Sequence, residues 1–214
     1  MPTLVIFADS NDGQIEARNS IYATALAGTF FLTSSTSGTS YNIGRFHTTA
    51  NGYSLFQAFM QFDTSTIGAG AFISTATLAL SGTADNSDVN FTVEARLVDW
   101  DTSLTITDWV PGSSLNSYTR VATRSTVGWA TAGYNTFTED GNNFRNGVDR
   151  TGSTRLMLTS SNLNGAAPPS NTNEYVVAAA TDAVGTSEDP KLTIKYFIGH
   201  RSPGATFTAG MAIS

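Results

Sequence analysis

The chain has 214 residues, a net charge of −6 at pH 7, 13% charged residues and no cysteine. The lack of cysteine removes disulfides, thiol nucleophiles and cysteine-bound zinc or iron–sulfur centres, and a scatter of nine arginines with only two lysines offers no basic stripe for nucleic acid. No apolar run approaches the ~18 residues of a membrane span, so membrane insertion is not expected.

Ser and Thr make up about a quarter of the chain and take the place of the missing charge. Threonine is a strand former, whereas helix surfaces are normally clothed in Lys, Glu, Arg and Gln. Aromatic content of 11% argues against disorder. The length suits one all-β domain, expected over residues 1–198, followed by an extended tail over 199–214.

Along the chain, Thr3–Phe7 is the first strand candidate. It follows a start that lacks the basic residues and long apolar stretch of an export signal, so none is expected. Asp12-Gly13 marks a turn, and Ile15–Leu26 is a candidate short helix. Phe30–Thr33 reads as a strand running into the small-polar stretch Thr33–Ser40, which predicts an exposed loop or hairpin tip. After a turn at Asn51-Gly52, the segment Leu55–Phe62 places Phe56, Ala58, Met60 and Phe62 on one face and Gln57 and Gln61 on the other, with Phe59 among them.

Gly68-Ala69-Gly70 predicts a turn, Thr75–Ser81 turns Ala76, Leu78 and Leu80 inward, and Ser81-Gly82 predicts the next turn. In Phe91–Leu97 the odd positions Phe91, Val93, Ala95 and Leu97 share a face. Beyond the turn at Pro111-Gly112 come Tyr118–Thr123, the turn Asp140–Asn143, a candidate short helix over Asn142–Val148, and the strand Arg155–Thr159. Asn164-Gly165 and the loop Ala166–Asn171 separate this strand from Glu174–Ala179, and Lys191–Ile198 closes the series. Period-2 runs spaced by turn residues, with no long 3.6 period, predict an antiparallel β-sandwich of jelly-roll type with few or short helices.

Gln61-Phe62-Asp63-Thr64-Ser65-Thr66-Ile67 followed by Ile73-Ser74-Thr75-Ala76-Thr77-Leu78-Ala79-Leu80 resembles the F-D-x-S-x-I and I-x-x-A-x-L-x-L signature of DNRLRE-type β-sandwich domains. Phe7-Ala8-Asp9, Val98-Asp99-Trp100 with Trp109 after it, and Pro190–Tyr196 fall in the family's order, so the resemblance spans residues 7–196. It implies a jelly-roll module similar to carbohydrate-binding modules and to pieces of phage tail and capsid-surface proteins.

Ingredients for catalysis are scarce. Neither histidine, His47 or His200, sits in a nucleophile or zinc motif, and no phosphate-binding loop precedes either lysine. The acid pairs Glu139/Asp140 and Glu188/Asp189 are adjacent, so in extended chain they point to opposite faces and read as solvated charge; Asp99 and Asp101 are a third pair. Asp9 and Asp12, with Asp189 brought near by sheet closure, are the candidates for a structural calcium ion, but without EF-hand spacing no metal is assigned. Trp109, Trp129, Tyr118 and Tyr134 are candidates for a sugar-stacking platform, whereas Trp100, ending a strand, reads as core.

Phe30-Phe31, the doubly apolar strand Leu55–Phe62 and the tail residues Phe207, Met211 and Ile213 offer more apolar surface than one sandwich face needs, and the tail is a candidate intersubunit segment. A cysteine-free, weakly charged chain without an export signal fits a non-enzymatic virion protein, such as a capsid-decoration, fibre or tail component. Its expected partners are other virion subunits or copies of itself in a homo-oligomer, and cell-surface polysaccharide. A carbohydrate-binding module of an extracellular protein is the alternative.

Overall fold

Alternating β-branched, aromatic and threonine positions favour pleated over helical backbone. The computed structural model, which describes residues 1–29, 31–100, 103–181 and 187–198, is accordingly all-β and antiparallel. Its first half contains strands β1 (Thr3–Phe7) and β2 (Gly13–Asn19), helix α1 (Tyr22–Ala27), and strands β3 (Phe31–Ser35), β4 (Ser40–Thr48), β5 (Gly52–Asp63) and β6 (Ala71–Ser87). The second half adds β7 (Thr92–Leu97), β8 (Arg120–Ser125), β9 (Gly133–Thr136), β10 (Thr138–Glu139), α2 (Asn143–Gly147), β11 (Ser153–Ser160), β12 (Asn173–Ala179) and β13 (Lys191–Ile198).

The strands join in the order β1-β13-β6-β12-β4-β5-β11-β7-β8-β10, with β2 on β5, β3 on β2 and β9 on β6. The sheet curls into a half-barrel, in keeping with the sandwich expected from the sequence. β5 is the pivot, because it pairs with β4 through Gly52–Phe56 and with β11 through Ala58–Asp63.

Two hydrophobic clusters lie on opposite faces of β5. The larger gathers Ala58, Met60 and Phe62 with Ile43, Leu78, Val93, Leu156, Val176 and Ile194. The smaller gathers Leu55 and Phe59 with Ile15, Ala17, Met157 and Trp100, and is roofed by residues of α1 and of the segment Val98–Leu115. Burying one such side chain stabilises by roughly 1.5–3 kcal/mol over leaving it exposed, so both faces of β5 are strongly committed. The roof is tied down by Gln57, whose amide donates to the Val110 carbonyl (2.7 Å) and accepts from its N–H (3.0 Å). The second apolar face of Leu55–Phe62 is therefore covered by the chain itself and is not spare surface for a neighbour.

Three further expectations change. The helix proposed over Ile15–Leu26 splits into β2 and α1, because Ile15 and Ala17 alternate inward to cover the odd face of β5. The loop expected over Thr33–Ser40 shortens, since β3 runs to Ser35 and β4 starts at Ser40. The turn expected at Ser81-Gly82 lies inside the 17-residue β6. Gly82 serves close approach there: a Cβ would sit 1.9 Å from the Ala130 carbonyl oxygen and 2.6 Å from the Trp129 indole nitrogen.

Candidate functional site

The four aromatic residues expected to form a sugar platform are not brought together. Trp109 is 6% exposed in the smaller cluster, with its indole N–H directed at the Leu26 carbonyl (3.4 Å). Gly28, in left-handed conformation at the end of α1 (φ 66°), leaves room for it; a Cβ there would lie 2.1 Å from the indole. Trp129 is 5% exposed in the larger cluster, and Tyr118 is half-buried against the smaller one. Trp100, at 2%, packs edge-on against Phe59 as core.

Tyr134 is half-buried like Tyr118, and one face of its ring is taken by the Lys191 ammonium 3.5 Å from its centroid. Its hydroxyl reaches the Ser187 and Asp189 carbonyls at 3.0 and 2.9 Å. Burial, helped by the charges of Asp189 and Glu188, pushes the phenol above its ordinary pKa. The stacking platform is thus corrected: with no free indole face, the tryptophans serve the two cores.

The acidic residues are drawn into local structure. Glu139 takes Arg145, while its neighbour Asp140 takes Arg120, as opposite-pointing neighbours should. Asp9 and Asp12 both engage Gln61, the first through its amide (2.7 Å) and the second through its backbone N–H (2.8 Å). Among the described residues no three His, Asp or Glu side chains form a group able to hold a metal ion. His47 lies against the Tyr53 ring at 4.2 Å, and His200 and Asp101 fall outside the described residues.

An open cleft of about 480 Å³ is lined by Leu97, Val98, Asp99, Asp149, Thr154 and Arg155 among others. Asp99 is ion-paired to Arg155, which also donates to Gln61 (2.7 Å). The Asp149 carboxylate accepts from the N–H groups of Thr151 (2.9 Å) and Gly152 (3.0 Å). The Thr151 N–H foremost, with its hydroxyl, the Gly152 N–H and the Arg155 charge, holds this carboxyl below the usual range against a cost of burial second only to that first bond. The carboxylate anion is thus the favoured form of Asp149.

A different surface stands out. β13 places Phe197 opposite Phe72 of β6, and the two exposed rings stack at 5.6 Å with an interplanar angle of 17°. Phe72 is 63% exposed, Ile198 60% and, two strands from β6 on β1, Val5 50%. The candidate interface residues Phe207, Met211 and Ile213, and Phe30 of the aromatic pair, lie outside the described residues. Sequence reasoning missed Phe72, Phe197 and Val5, although each is an apolar residue on the wet side of an alternating strand.

No family model matches the chain, and no curated protein matches it. The likeness to DNRLRE-type domains accordingly stands on the sequence pieces given above alone, of which Gln61–Ile67 and Ile73–Leu80 here form the end of β5, the turn after it and much of the first part of β6.

Proposed function

We propose that the chain is a non-enzymatic structural subunit of a virion, a capsid-decoration, fibre or tail component, acting through contacts with other subunits. The observation that carries this reading is the stacked pair of exposed rings Phe72 and Phe197 on β6 and β13, with Val5 exposed on the neighbouring β1. Two large rings exposed and packed on each other suit a site of association. Low charge and the absence of cysteine support it by suiting a particle surface that works through shape. Adhesion to cell-surface polysaccharide would have to use something other than the tryptophans, since all three are buried.

The test is location. Antibody raised to the folded chain should label intact particles from the source of the sequence, and the chain should be recovered at stoichiometric copy number from purified particles. Recovery only from the particle-free supernatant, as a monomer, refutes the reading.

A further inference from the structure

We propose that β1 is a homotypic docking edge, along which two copies of the chain join their sheets antiparallel about a two-fold axis at Val5. The proposal rests on the reading above, of a subunit that acts through protein contacts, and names the partner as a second copy. β1 ends the strand order and pairs on one side with β13; among the described residues no strand pairs with its other side. An uncovered strand edge is a template for another strand unless charge, proline or brevity blunts it. The opposite end of the sheet is blunted: β10 has two residues, and its Glu139 and the following Asp140 are salt-bridged to arginines. β3, the edge beyond β2, runs out in Thr33, Ser34 and Ser35. β1 has five residues, Thr3-Leu4-Val5-Ile6-Phe7, with neither charge nor proline.

Self-pairing is favoured by the sequence of the strand. With Val5 on the axis, Leu4 faces the partner's Ile6, Thr3 faces the partner's Phe7, and Val5 faces the partner's Val5. On the inner side, Leu4 and Ile6 are only half-buried against the larger cluster, and a second strand completes their cover. On the outer side, the exposed Val5 gains the partner's Val5 as an apolar neighbour, and the exposed Phe7 gains the partner's Thr3. The nearest like charges do not oppose the contact. Lys191 pairs with Phe7 and Lys195 with Thr3, so Lys191 and the partner's Lys195 lie three strand spacings apart, about 14 Å, beyond the ~8–10 Å Debye length. Five residues fall short of a standard interface, so the isolated contact should hold at on the order of 10 μM or weaker and gain strength where many subunits are arrayed.

The full chain with Val5→Cys tests this, because the substitution supplies its only thiol. Directly opposed residues in an antiparallel pair have Cα atoms ~4.5–5.5 Å apart, inside the ~4.4–6.8 Å a disulfide needs. Thr3→Cys is the control: its own copy would lie four residues along the strand, about 14 Å away, out of reach. Under mild oxidation the Val5→Cys chain should run as a covalent dimer on non-reducing gels, and the Thr3→Cys chain as a monomer. Both linking means random collision and overturns the proposal. Failure of Val5→Cys to link also overturns it. Linking without particle association leaves this interface standing and sinks the virion reading; particle association without linking does the reverse.

Discussion

Arg45 and Glu174 meet from β4 and β12 in a nearly dry site, 5% and 3% exposed. The guanidinium Nε donates to the carboxylate at 2.7 Å, and Nη1 lies within hydrogen-bond distance of the Tyr22 hydroxyl (2.6 Å) and of the carbonyls of Asn162 (2.7 Å) and Ala166 (2.8 Å). Asn162 donates a second bond to the carboxylate at 2.8 Å. Replacing Arg45 by Met keeps the aliphatic bulk but leaves a buried anion held by the Asn162 amide without its cation. Removing one partner of such a pair costs about 3–5 kcal/mol, a large share of the ~5–15 kcal/mol that holds a domain together. At ~2–4 °C per kcal/mol for a chain of this size, Tm should fall by roughly 6–20 °C. Urea unfolding followed by tryptophan fluorescence reads the change, since all three indoles pass from core to water. The double variant Arg45→Met/Glu174→Leu should lose clearly less than the sum of the two single losses, because no charge is left stranded. Additive losses, or an Arg45→Met loss under ~1 kcal/mol, would show that water reaches the pair and that the argument from burial is wrong.

Gly82→Val should abolish folding or lower the urea midpoint severely, because its Cβ would collide with the Ala130 carbonyl, while Gly133→Ala, with open space at its Cβ, should change little; equal midpoints would refute the packing argument. Asp149 has a folded-state pKa below its unfolded value near 3.8, so its stabilising contribution is present above that value and is lost as pH falls through the lower folded value. Asp149→Asn should therefore be less stable than the natural chain at pH 7, with the gap closing below about pH 3.8; a gap independent of pH would mean the Thr151 and Gly152 bonds do not act through the charge.

Where a strand's partners are dictated by alternation, the sequence was sufficient to find it. Lys191–Ile198 coincides with β13, and Leu55–Phe62 lies within β5, because each carries apolar residues in a period that only a pleated backbone can bury on one face. Ile15–Asn19 was misread because Ala17, Glu16 and Arg18 are good helix formers, and only the odd face of β5, about forty residues on, makes their extended form preferable. The burial of Trp109 had no local signal either, since the space for it is made by Gly28 at the end of α1. The same holds for Arg45 and Glu174, which lie 129 positions apart. Local pattern specifies strands, whereas the fate of a large or charged side chain depends on which distant segment arrives over it.

The disposition of charge links these details to the kind of molecule this is. Of the eight arginines among the described residues, six are occupied by carboxylates: Arg18, Arg45, Arg96, Arg120, Arg145 and Arg155. One of the two lysines, Lys191, is spent on the Tyr134 ring. Arg45 and Arg96 are buried with their partners Glu174 and Glu94, so these cations fix the relation of strands and loops and project little field into solvent. The remaining surface is largely hydroxyl, with a modest net negative charge and a few exposed apolar rings. Such a surface cannot steer a charged partner over long distances; recognition falls to short-range fit, apolar contact and free strand edges. β1, whose outer side no strand among the described residues pairs with, and the stacked Phe72–Phe197 pair place those two short-range features on neighbouring strands, and the proposed contacts rest on both.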